Sequence, residues 1–162
     1  MSERSLRLAL AQMNPTVGDL SGNVARACRF IAEAERLGVD LVCFPELALT
    51  GCPPEDLLLR PDFVRDSLRA LQEVVEFTRD KELVCVIGFV DLQEDLYNAA
   101  AVIHRGQLRG VYHKVCLSSC GVFDEERYFR AGRRCPVFVL GPLRVGVSIR
   151  EDLWYPTGPV AA

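Results

Sequence analysis

Three apolar runs, separated by two stretches of helical periodicity, constrain this chain more than anything else in it. LRLALAQM (Leu6 to Met13), Asp40 to Phe44 and LVCVIGFV (Leu83 to Val90) read as strands. In the first, Leu6, Leu8 and Leu10 lie on one side with the small Ala9 and Ala11 between them, and a mostly buried strand is expected. Between the first two runs Val24, Ala27, Cys28, Ile31, Ala34 and Leu37 recur at three-four spacing, with Ser21 as the expected cap and Gly38 as the stop. Between the second and third, Pro61 opens a long helix whose inner face is Val64, Leu68, Leu71, Val74 and Val75.

From Leu96 onward strand follows strand. Tyr97 to His104 and Leu108 to Lys114 flank Arg105-Gly106-Gln107, a hairpin turn. A polar loop runs from Ser118 to Arg134, and Val137 to Leu140 and Leu143 to Ile149 form a second hairpin around Gly141-Pro142. The order βαβαβ followed by four strands predicts a layered α/β fold.

The 162 residues suit one domain, which buries about 70% of the unfolded chain's surface. At 49% hydrophobic and 25% charged the composition is that of a globular domain, and the net charge of -3 argues against nucleic acid or an anionic membrane as partner. No apolar run approaches the roughly 20 residues of a membrane span. Met1-Ser2-Glu3-Arg4 leads straight into a strand without a signal-peptide core, so a cytoplasmic location is expected. Seven cysteines in such a chain are expected to be reduced, most of them as small buried hydrophobes. His113, Cys116, Cys120 and Cys135 have the only metal-like spacing, but no Cys-x-x-Cys pair supports zinc, and no metal is expected.

Chemistry-bearing residues collect at strand ends. Glu46 follows an apolar strand and Pro45 and precedes Leu47-Ala48-Leu49; it is either a solvated loop carboxylate or a partly desolvated base. Lys114 ends a strand, where exposed lysines are common. Asp124-Glu125-Glu126-Arg127 reads first as a charged surface turn. Val145, Val147 and Ile149 run into the acidic turn Arg150-Glu151-Asp152, the kind of strand end at which α/β enzymes present a nucleophile.

Five blocks in order make a specific resemblance: AQMNPTVGDLSGN, FPELALTGCPPEDLLLRPDF, LYNAAAVIHRGQLRGVYHK, GVFDEERYFRAG and VGVSIREDLWYPTGP. Together they resemble the glutamine-amidohydrolase domain of glutamine-dependent NAD synthetases, in the nitrilase (carbon–nitrogen hydrolase) superfamily, over Leu6 to Pro159. The resemblance implies a nitrilase-like α-β-β-α sandwich and a Glu–Lys–Cys site. Glu46 falls on the general base, Lys114 on the oxyanion-stabilising lysine and Glu125 on the second glutamate, which positions the lysine. Phe123 and Glu151 fall on the glutamine pocket. The ATP and Mg of such enzymes belong to a separate synthetase domain, so no cofactor is expected for residues 1–162.

Three departures from the pattern set further expectations. The family's I-C-E-D-L-W is Ile149-Arg150-Glu151-Asp152-Leu153-Trp154 here, and a guanidinium is no nucleophile. Arg150 is therefore expected to fill the site and pair with Glu46 or Glu125, leaving an inactive copy or a non-catalytic binding or assembly module. Cys52 and Cys120 stand where the family usually has tyrosine, and Cys120 lies close to the implied pocket; as a relocated thiol it would need placement within about an ångström. Family domains also run about a hundred residues longer. A C-terminally incomplete sandwich is therefore expected, with an uncovered strand edge and apolar face that lead to self-association or a partner chain.

Overall fold

A computed structural model describes residues 5–119, 124–156 and 158–159. Its order is the expected one: β1 (Leu8–Leu10), α1 (Leu20–Arg36), β2 (Leu41–Cys43), α2 (Pro61–Phe77), β3 (Val84–Leu92), β4 (Leu96–His104), β5 (Gln107–His113), β6 (Val137–Leu140) and β7 (Leu143–Gly146). Short 3-10 turns occupy Glu55–Leu59, Glu125–Arg127 and Arg150–Leu153. β1 to β5 form one sheet in sequence order, parallel from β1 to β3 and antiparallel from β3 to β5, while β6 and β7 form a separate antiparallel pair.

Alternation along β3 and β4 explains the layers. Cys85, Ile87, Phe89, Ala99, Ala101 and Ile103 face the two helices, in one cluster with Ala27, Ile31, Leu71 and Val74. Val84, Val86, Ala100 and Val102 point the other way, joined by Tyr112 and Ile149 and covered by Phe138, Leu140 and Val145 of the β6–β7 pair. The described residues thus stack helices, a five-stranded sheet and a two-stranded sheet, an α-β-β order within the expected sandwich. Covered on both faces, β3 has its first seven residues buried, which is why its sequence is a continuous apolar run.

Local signals explain most element ends. Arg105 and Gly106 both have positive φ, at 52° and 67°, as a two-residue hairpin turn requires. Gly38 stops α1 at φ 67°. Two expectations are corrected. Asp19, not Ser21, caps α1, its Oδ1 accepting from Gly22 N at 3.0 Å; α1 starts at Leu20, so Ser21 already lies inside it. The leucines of β1 are not buried: Leu8 and Leu10 are 51% and 75% exposed, and Leu6 is exposed too. β1 is an edge strand whose small residues, Ala9 and Ala11, face the helices, while no described residue covers its leucine face. The expected strand to Ile149 also ends early, at Gly146, because residues 147–149 leave the pair to enter the turn that carries Arg150.

Candidate functional site

Four separate segments deliver charged side chains to the C-terminal end of β2 and β3. The first is the loop after β2. There Leu47 takes φ 50°, and Pro45 to Leu47 cross β3 so closely that a Cβ on Gly88 would lie 2.3 Å from Pro45 O and 2.5 Å from Leu47 N. A side chain at position 88 would displace this loop, and Glu46 with it. Lys114 is the residue after β5, tied to β4 by its N–H, which donates to Asn98 O at 2.9 Å. Glu125 opens the 3-10 turn at 125–127, its N–H donating to Ser118 O. Glu151 follows Arg150, which sits at φ 41°, a strained left-handed conformation for an arginine.

Lys114 is the centre of the cluster. Its side chain is 1% exposed, and Nζ lies 2.7 Å from Glu46 Oε1, 2.7 Å from Glu125 Oε2 and 2.6 Å from Glu151 Oε2. The contacts to Glu46 and Glu125 are directed hydrogen bonds, while the one to Glu151 is foremost a charge contact. Burial alone would drive the ammonium to its neutral form, but the three carboxylates outweigh it and hold the amine well above its ordinary range. Glu151 shows the same contest with the opposite sign: burial pushes its carboxyl up, Lys114 pulls it down, and the balance lies below the usual carboxylate value. The solvated readings of Glu46 and Lys114 are thus wrong for this fold, and Glu125 is no plain surface charge.

Arg150 occupies the remaining side. Nη1 donates to Glu46 Oε2 at 3.4 Å, Nε lies 3.8 Å from Glu151 Oε1, and the guanidinium carbon is 6.0 Å from the Trp154 ring centre. The expected pairing with Glu46 is present, with Glu151 rather than Glu125 as the second neighbour. Arg150 remains half exposed, and it and Glu46 both line a cleft of 270 Å³ whose apolar walls include Leu41, Val86, Ala100 and Val147. Oxygens of Glu46, Glu125 and Glu151 lie within 4.8 Å of one another, a grouping able to hold a cation; the Lys114 ammonium supplies that charge here.

Two residues escaped the sequence reading. Asn98, fully buried, donates from Nδ2 to Glu46 Oε1 at 2.8 Å and to Glu125 Oε1 at 2.7 Å. Asp152, 1% exposed, accepts from Tyr112 Oη at 2.6 Å and from the N–H groups of Val115, Cys116 and Ile149. It thereby locks the turn holding Arg150 and Glu151 to the end of β5. The available signal was a lone amide opening the apolar run Ala99 to Ile103, and an aspartate placed to cap a turn.

Other expected residues lie elsewhere. Cys120 and Phe123 fall outside the described residues. Among the described residues His113, Cys116 and Cys135 form no metal-holding group: His113 Nε2 engages Asp91 Oδ2 at 2.7 Å, its ring stacks on Tyr97 at 4.1 Å, and Cys135 is exposed. Cys52 belongs to the neighbourhood of the cluster. Although exposed by area, its thiol is pushed up to about 11, first by the protein packed around the sulfur and then by Glu46, with Arg150 pulling weakly the other way. Among the described residues no helix is long and apolar enough to cross a membrane.

Comparison with known proteins bears on this arrangement. The carbon–nitrogen hydrolase family model matches residues 7–162. A glutamine-dependent NAD(+) synthetase of Thermotoga maritima is 47% identical over 159 residues, 98% of this chain and 28% of the relative. One of Aquifex aeolicus is 43% identical over 153 residues, 94% of this chain and 27% of the relative. The chain thus spans a little over a quarter of the length of these relatives. The structure of a glutamine-dependent NAD+ synthetase from Acinetobacter baumannii, in complex with ADP, superposes with a TM-score of 0.85 at 39% identity, over 93% of this chain and 28% of the other. An amidase from Nesterenkonia sp. shares the fold, with a TM-score of 0.86 at 21% identity over 96% of this chain and 59% of the amidase.

Proposed function

Because the chain belongs to the carbon–nitrogen hydrolase family, we propose that it is a glutamine-amidohydrolase module of the NAD synthetase type that Arg150 leaves inactive. One observation carries this reading: Glu46, Glu125 and Glu151 converge on a buried Lys114, and the residue facing Glu46 is a guanidinium. The chemistry such a cluster supports is acyl transfer from an amide. A thiol at position 150 would add through sulfur to the substrate carbonyl carbon while its proton passes to Glu46. Lys114 would hold the oxyanion, and Glu125 would keep the lysine in place. The carbon–nitrogen bond then breaks as Glu46 returns the proton to nitrogen. Ammonia leaves, and water cleaves the thioester to free the acid.

Arg150 interrupts this sequence at its first step, since a guanidinium stays protonated and has no lone pair to offer. Loss of the nucleophile in a comparable covalent hydrolase costs about 10⁶ in rate. Cys52 does not compensate: its thiol is pushed up to about 11 and is protonated near neutrality. The second reading, a non-catalytic binding or assembly module, draws on the same pairing, because Arg150 lies against Glu46 as a filled site would require. Ammonia intended for a synthetase domain, and glutamine as the amide, are parts of the proposal supported by the kind of relatives the chain has.

The test is ammonia release from glutamine by the unaltered chain and by Arg150→Cys, each beside its Cys52→Ala counterpart. The expected result is no release above blank from the unaltered chain and measurable turnover from Arg150→Cys. Turnover by the unaltered chain that Cys52→Ala leaves intact overturns the assignment of Arg150 as the block. Binding of glutamine to the unaltered chain by calorimetry, with no turnover in either form, favours the binding-module reading.

A further inference from the structure

We infer that Asn98 is the positioning residue of the site: its carboxamide fixes the plane of the Glu46 carboxylate, so that one oxygen is held and the other faces residue 150. The inference rests on geometry. Glu46 Oε1 accepts from both Lys114 Nζ, at 2.7 Å, and Asn98 Nδ2, at 2.8 Å, while among the described residues Oε2 has only the Arg150 contact at 3.4 Å. The second Nδ2 hydrogen goes to Glu125 Oε1 at 2.7 Å, and Glu125 Oε2 accepts from Lys114 Nζ at 2.7 Å and Ser118 N at 2.8 Å. Glu46 and Glu125 are therefore bridged twice, once by an ammonium and once by a neutral amide.

An ammonium on a four-carbon stem can rotate its donors among acceptors, so Lys114 alone does not fix the plane of the Glu46 carboxylate. A planar amide fixed in a strand does. Asn98 opens the buried stretch of β4, opposite Val90 of β3, and its own carbonyl accepts from Lys114 N. Its side chain also carries a penalty: Oδ1 is buried with no partner among the described residues. An apolar side chain would avoid that penalty, so packing does not account for an amide here, and the two N–H donors do. The groups facing it are Glu46 from the β2 loop, Lys114 from the end of β5 and Glu125 from its 3-10 turn, with Arg150 and Glu151 behind.

If Asn98 sets the orientation, it also sets the reactivity of the proposed base, since the free oxygen is the one that takes a proton from whatever stands at position 150. This clause rests on the proposed amide chemistry; the orientation itself does not. The experiment therefore needs no turnover. In ¹⁵N NMR of the unaltered chain, the two Asn98 amide protons should be slow to exchange, Glu46→Gln should move one of them and Glu125→Gln the other. The Arg150 Nη1–H signals should be slowed by Glu46 and should revert to those of exposed arginines in Asn98→Leu. A residue that only filled space would leave them unmoved. Asn98→Ala, which removes both donors without adding charge or volume, gives the same readout if the leucine variant does not fold. Unchanged Arg150 signals in either folded variant, or Asn98 protons that respond to neither glutamine substitution, overturn the inference.

Discussion

Three carboxylates around one buried ammonium make Lys114 the residue on which the site depends. Removing the charge leaves Glu46, Glu125 and Glu151 facing one another with only half-exposed Arg150 nearby. Lys114→Met should cost about 3–5 kcal/mol in urea unfolding, because breaking one side of a buried ion network strands the other. The pH dependence has a defined sign. Glu151 is held below its ordinary value, so its contribution is present above that value and is lost as pH falls through the folded one. Lys114 is held above its ordinary value of 10.5, so its contribution is complete below that pH and is lost only in stronger alkali. The unaltered chain should lose stability on acidification. Lys114→Met should instead recover part of its loss there, as the carboxylates take up protons; a parallel decline in both would contradict the proposed network. Cys52 gives a separate check: its alkylation by iodoacetamide should stay slow near neutrality despite exposure and rise as pH approaches 11.

Between elements, the close crossing of the β2 loop over β3 does most to place Glu46. Gly88→Ala would put a methyl 2.3 Å from Pro45 O, backbone that has no free end to swing away. The substitution should cost about 1–3 kcal/mol in unfolding free energy and should weaken the Arg150–Glu46 contact together with it. By contrast Asp19→Ala removes the cap of α1 and a partly exposed contact to Arg26, touches no residue of the cluster, and should cost about 1 kcal/mol with the site unaffected. Unfolding of both variants, read beside the Arg150 NMR signals, separates loss of an element from loss of the site.

For the molecule as a whole, the uneven covering of the central sheet matters most. Its helix face is closed, whereas Leu8 and Leu10 of β1 are exposed, as are Val137 and Val139 on the outer side of the second sheet. Such surface favours association. The double substitution Leu8→Lys, Leu10→Lys should therefore leave the unfolding free energy of dilute protein within about 0.5 kcal/mol and remove any rise of the urea midpoint with concentration. A large loss of stability at low concentration would mean that β1 is buried in a way the fold does not show.

Periodicity and turn chemistry made the element order readable from the residues, because apolar spacing and residues such as Gly38, Pro61 and Arg105-Gly106 act locally. Glu46, Lys114 and Glu125 were readable only through their motif contexts, since an isolated strand-end charge has nothing in its sequence to say whether water or protein surrounds it. Tertiary structure decided the rest. The direction in which the β1 leucines point depends on which face of an edge strand finds a covering layer. Asn98 lies 52 residues from Glu46 and 27 from Glu125 along the chain, and Asp152 lies 40 from Tyr112, so no local pattern links them. Arg150 illustrates both sides: the sequence alone shows that a thiol is missing from its motif, and only the folded chain brings its guanidinium to Glu46, 104 residues away.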